Sequence, residues 1–148
     1  MESGALRPSR NLIEAIEEAL SVQPEIAAAY LYGSAARGRT TALSDVDVAV
    51  LFRATTHGPE DRRAVLGELL GRIGRRFPGE EFDVRDAEAL PLAVVGRVLT
   101  EGIRVLDADP SRRVAFEVRT RMRFFDFLPF QAHDTRHGLR ALREKLGG

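Results

Sequence analysis

Leu12, Ile13, Ile16, Ala19 and Leu20 recur at helical spacing behind Asn11 and Glu14, a pair with the form of a capping box, and the pattern stops at Gln23-Pro24. A short amphipathic helix is expected there. Residues 26–32 (IAAAYLY) are apolar without interruption and closed by Gly33, which predicts a buried strand. Residues 33–44 are small and polar and read as a turn and loop, whereas residues 45–52 (DVDVAVLF) alternate and predict a second strand. Between 59 and 77, Leu66, Leu69, Leu70, Ile73 and Phe77 keep helical spacing among charged residues. A third strand is predicted at 81–86 (EFDVRD), a helix at 90–100 closed by a glycine cap at Gly102, and a fourth strand at 103–106. Val114, Val118, Met122, Phe125 and Leu128 then form an apolar stripe on a helix opening at Pro110 and stopping at Pro129, and a last helix is expected at 134–146.

Composition narrows the chemistry. The 148 residues suit one domain with a real core, residues 1–148 as a single unit, and neither a repeat nor a dividing linker is visible. No stretch approaches the ~20 apolar residues of a membrane span, and residues 1–10 lack the pattern of an export signal, so a cytoplasmic protein is expected. Without cysteine, and with three scattered histidines, any metal would be held by carboxylates. Lys+Arg and Asp+Glu balance at 22 each, which argues against direct nucleic-acid binding through bulk charge. All the basic residues but Lys145 are arginine, so phosphate recognition would fall to guanidinium groups.

A strand period of two puts Asp45 and Asp47 on one face and Val46, Val48 and Val50 on the other. The same rule sets Asp83 opposite Phe82 and Val84, and if the third strand lies beside the second, three carboxylates converge. Such a cluster is tolerable when a cation neutralises it, and all-oxygen ligation favours Mg²⁺ or Mn²⁺. Upstream, Gly33 lets the backbone approach a phosphate to which the following N–H groups and the Ser34 hydroxyl can donate. Arg37 and Arg39 in the same loop are further candidates for phosphate oxygens.

A strand ending in Gly33-Ser34, ten intervening residues, then Asp45-x-Asp47 on the next strand with a later strand acid at Asp83, resembles the signature of the polymerase-β-like nucleotidyltransferase superfamily. The resemblance covers roughly residues 26–106 and implies an α/β (α+β) nucleotidyltransferase fold: a small mixed sheet flanked by helices, with C-terminal helices over 110–146. It also implies that Asp45 and Asp47 hold metal and nucleotide, while Asp83 is a ligand that helps activate the acceptor hydroxyl. The chain as a whole is similar to the minimal nucleotidyltransferase antitoxins of HEPN/MNT toxin–antitoxin pairs. That similarity implies transfer of AMP from ATP to a tyrosine of a partner HEPN ribonuclease toxin, in a hetero-oligomer, as the way the toxin is silenced. The alternatives are a nucleotidyltransferase acting on a small aminoglycoside-type alcohol and a non-enzymatic antitoxin that neutralises by binding alone.

Several features have ordinary readings. Arg112, Arg119 and Arg123 share a polar stripe, while Arg121 falls beside the apolar one and is expected to snorkel or pair within the core. Phe124, Phe125, Phe127 and Phe130 wrap all sides of a short segment, more than one core face needs, and predict an exposed patch for a second protein. His57, His133 and His137 have no neighbours at ligand spacing and are expected at the surface.

Overall fold

The computed structural model describes residues 10–33, 46–55 and 58–134, with side chains of the last helix described as far as Asp126. Its elements are α1 (Arg10–Ser21), β1 (Ile26–Tyr32), β2 (Val46–Phe52), α2 (Pro59–Arg76), β3 (Phe82–Asp86), a 3₁₀ turn (Ala87–Ala89), α3 (Leu92–Glu101), β4 (Ile103–Asp107) and α4 (Pro110–Asp134). The strands form one mixed sheet in the order β3-β2-β1-β4, in which β1 is antiparallel to β2 and β4, and β2 is parallel to β3. This is the expected α/β architecture. No helix among the described residues is long and apolar enough to cross a membrane.

Both faces of the sheet are covered, which is why β1 and β2 read as nearly unbroken apolar runs. On one face Val46, Val48, Val50 and Phe52 pack with Ile16 and Leu20 of α1 and with Leu69 and Ile73 of α2. On the other, Tyr30, Ala49 and Leu51 pack with Val95 and Val98 of α3 and Phe116 of α4. A bulge between Ile26 and Ala28 sends Ala27 and Ala28 to the same face, so one strand serves both layers without a break. Gly96 lets α3 approach α4 closely, because the Phe124 ring occupies the place a β-carbon would take.

The structure departs from the periodicity in four places. Helix α1 already includes Arg10 and Asn11, a shift within the usual uncertainty of helix ends, so Asn11 is not its cap. Gly102 follows α3 as expected but with extended backbone, φ −78°, rather than a left-handed one. Glycine suits it because an added β-carbon would stand 2.9 Å from the Leu31 carbonyl oxygen. Helix α4 runs through Pro129 to Asp134. The missing N–H costs about 3 kcal/mol yet need not stop a helix whose other hydrogen bonds continue. The last difference concerns orientation: Val114, Val118, Met122 and Phe125 are 47%, 52%, 64% and 56% exposed, so the apolar stripe of α4 faces away from the core. Its inner face carries Phe116 and Thr120 instead, flanked by Glu117, whose carboxylate accepts from the Tyr30 hydroxyl at 2.6 Å. The helix expected at 134–146 lies outside the described residues apart from Asp134, the last residue of α4.

An ionic hub ties α2, β3, the 3₁₀ turn and α4 together. Arg62 of α2 reaches Asp86 at 2.9 Å and Glu88 at 3.1 Å, while Arg112 of α4 reaches Glu88 at 2.8 Å and also donates to the Phe52 carbonyl. Burial works against the Glu88 charge, but hydrogen bonds and charge from Arg112, then Arg62, outweigh it, and its pKa falls below the ordinary 4.5. A lowered carboxylate pKa contributes stability that is complete above the unfolded value and lost as pH falls through the folded one. Thermal melts should therefore show wild type losing stability as pH drops below about 4.5. Glu88→Gln should be less stable at neutral pH and decline less steeply; equal slopes would remove Glu88 from this role.

Candidate active site

The site forms at one end of the sheet, where β1 finishes and β2 and β3 begin. Parallel pairing sets Asp47 beside Asp83, and antiparallel pairing sets Tyr32 on the other side of Asp47. Residues opposite one another on neighbouring strands share a face, so these three side chains stand in a row across strands about 4.8 Å apart. The row lies on the α3–α4 face: Ala49 and Leu51, two and four residues after Asp47, belong to that core, while Val46, Val48, Phe82 and Val84 pack on the opposite face.

Gly33 closes the row from above. Its φ of +75° is the left-handed region that glycine enters freely, and a β-carbon built on it would lie 2.5 Å from Asp47 Oδ2. The turn backbone and the carboxylate are therefore packed against each other. Asp83 accepts from Arg85 Nε at 2.8 Å, with the two side chains 35% and 59% exposed. An ion pair this open is worth about 0–1 kcal/mol, so the carboxylate can exchange it for a stronger cation. Burial, then the charges of Asp47 and Asp83, push the Tyr32 phenol above its ordinary value of 10.0, which keeps its proton in place.

Of the residues singled out from the sequence, Gly33, Asp47 and Asp83 are brought together. Ser34, Arg37, Arg39 and Asp45, with His57 and His137, lie outside the described residues. Among the described residues no group of three or more His, Asp or Glu side chains could hold a metal ion. The Asp47–Asp83 pair nevertheless fits one chemically: two carboxylates on one face, in register, offer hard oxygen donors whose mutual repulsion a divalent cation would relieve. Two neighbours went unforeseen. Arg85 was legible as the residue two after Asp83 and so on its face, whereas Tyr32 meets Asp47 only through the antiparallel register. Arg121 is half-buried and donates to the Leu99 carbonyl at 3.1 Å, in the last turn of α3, where cations complement unpaired carbonyls.

The sequence model described as Polymerase beta, Nucleotidyltransferase matches residues 14–111. The chain belongs to the polymerase β nucleotidyltransferase family. No curated protein matches it in sequence. Among solved structures, a chain of the MntA–HepT toxin–antitoxin is similar with a TM-score of 0.59 and 18% identity, covering 95% of this chain and 100% of its own. A chain from a toxin–antitoxin with AMP-PNP gives 0.62 and 20%, with 92% and 98% covered. One from the tri-AMPylated Shewanella oneidensis HEPN toxin in complex with MNT antitoxin gives 0.58 and 19%, with 94% and 98% covered. At such identities these nucleotidyltransferase likenesses speak for the fold, and they extend over nearly the whole of each chain.

Proposed function

We propose that this nucleotidyltransferase is an antitoxin that transfers AMP from ATP to a hydroxyl, that of a tyrosine, on a partner HEPN ribonuclease toxin and thereby neutralises it. The observation that carries the reading is the register pair Asp47–Asp83 beneath the left-handed Gly33. The likeness to chains from toxin–antitoxin complexes, one with AMP-PNP and one with a tri-AMPylated toxin, supports the nucleotide and the partner. The outward apolar stripe of α4 supports a protein partner too, since exposed patches of this kind mark interaction surfaces.

In this reading the N–H groups after Gly33 and the Ser34 hydroxyl hold the triphosphate, with Arg37 and Arg39 as further phosphate contacts. Asp45, Asp47 and Asp83 would hold Mg²⁺ or Mn²⁺, which when bound supplies neutralisation of phosphate charge. Asp83 takes the proton from the acceptor hydroxyl as that oxygen bonds to the α-phosphorus. The bond from the α-phosphorus to the bridging oxygen breaks in line, and pyrophosphate leaves. Both proteins act in the cytoplasm, where ATP is at hand.

Incubating the protein with Mg-ATP and its co-encoded partner, then weighing the intact partner by mass spectrometry, is expected to show one or more added AMP units and a matching loss of ribonuclease activity. AMP found on an aminoglycoside and not on the partner would move the substrate to a small alcohol. Neutralisation without any added mass would make binding alone the mechanism.

A further inference from the structure

At the other end of the sheet from the acid row, beyond the finish of β3, a cavity of about 370 Å³ opens between the 3₁₀ turn, the start of α3 and the flank of α4. Its apolar wall is Leu90, Leu92, Val95 and Phe116, and Arg119 and Arg123 stand one turn apart on the α4 side. Arg112, Arg113 and Arg121 of the same helix all have partners, whereas these two guanidinium groups pair with no described residue. Thr120 lines the same cavity and is only 7% exposed. Its hydroxyl has no partner among the described residues either, although the Thr100 hydroxyl bonds back to the Gly96 carbonyl of its own helix at 3.0 Å. A hydroxyl buried to this degree ordinarily has a partner, and the cavity is where this one's partner belongs.

Glu88 is the one acid among the described residues that line the cavity, and Arg62 and Arg112 already hold it at 3.1 and 2.8 Å. Arg119 and Arg123 are left as uncompensated positive charge over the pocket. The start of α3 adds to it: no side chain caps the helix and no acid stands in its first turn, so its free N–H groups and positive dipole end are unanswered. We propose that this cavity is a second anion site, separate from the acid row, that takes a phosphate group, free or as the head of a small organic phosphate. Two guanidinium forks, a hydroxyl and helix N–H groups match the three free oxygens of a phosphomonoester better than the two of a carboxylate. The apolar wall covers the carbon part of such a ligand, and the volume falls within the range of small-molecule sites, about 300–1,000 Å³. The site needs neither a metal nor the acids and stands apart from the transfer reaction.

Binding of AMP and of inorganic phosphate should be measured by calorimetry on the full chain in EDTA, which keeps metal-dependent binding at the acid row out of play. Wild type is compared with Arg119→Gln/Arg123→Gln, which removes two exposed charges, and with Thr120→Val, which keeps the shape of a buried side chain. The expected result is AMP binding weakened at least tenfold in the double variant and severalfold in Thr120→Val. Thermal midpoints should hold, because neither change removes a bond to a described residue. Gly33→Ala, at the phosphate turn, should bind AMP as wild type does. AMP binding that falls in Gly33→Ala and holds in the double variant overturns the proposal, since the anion would then sit beside the acids. Wild type that binds neither probe overturns it as well, and loss of the partner complex in the double variant would then assign the two arginines to an acidic side chain of that partner. Inorganic phosphate bound as tightly as AMP, with the same dependence on the arginines, upholds the site and makes the phosphate group alone its ligand.

Discussion

Asp47→Asn, alone or together with Asp45→Asn, is expected to reduce AMP transfer by at least about 10³-fold while leaving the fold in place. The substitution keeps the shape of the side chain and removes one of the two charges that face each other across β2 and β3. Phosphoryl chemistry at such a site depends on several kcal/mol of charge stabilisation, and each 1.36 kcal/mol is about tenfold in rate. Like charges in register on adjacent strands weaken a sheet, so the thermal midpoint should hold or rise. Loss of transfer with an unchanged or higher midpoint is therefore the signature of a site built for a cation. Asp83→Asn should behave alike from the other strand, and if both variants still modify the partner at the wild-type rate, the carboxylate pair is not the reaction centre.

The second large effect is expected from Gly33→Ala, a change of one methyl group. The new β-carbon would come within 2.5 Å of Asp47 Oδ2, and the backbone at φ +75° disfavours any side chain. Left-handed backbone costs an alanine about 1–2 kcal/mol, so the midpoint should fall modestly. The Asp47 carboxylate must also move, and a displacement of about 1 Å at a reacting centre is enough for about 10² in rate. Transfer should thus fall further than stability alone explains. Gly79 provides the comparison: it is also left-handed, at φ +92°, but its β-carbon would meet nothing within 4 Å. Gly79→Ala should share the stability loss and keep full transfer, and a similar loss of transfer in both variants would separate Gly33 from the acids.

Much of the site could be read from local spacing. The two-residue period of a strand assigns Val46 and Val48 to one face and Asp47 to the other, and the same rule separates Asp83 from Phe82 and Val84. Gly33 ends an apolar strand, where a turn that needs a left-handed residue would place it. Tyr32 is different. Its own strand gives its face but not its neighbour, and it stands beside Asp47 because β1 and β2 pair antiparallel in one register. The cavity beside α3 was invisible for the same reason, since residues just after β3 and residues of α4 must meet to form it.

Helix α4 marks the boundary most clearly. Its apolar stripe was plain in the sequence, but period alone cannot say what a stripe faces, and here Val118 and Met122 point outward while Thr120 is buried. Tertiary contacts chose the inner face, where Glu117 meets the Tyr30 hydroxyl and Arg121 meets the end of α3. By itself the sequence determined the strands, most of the helices and the side of each strand on which its acids stand, because backbone geometry fixes those over a few residues. Only the tertiary structure decided strand order, the partners of Asp47, the cavity and the outward face of α4. Those depend on contacts between distant segments, whose energies no local repeat encodes.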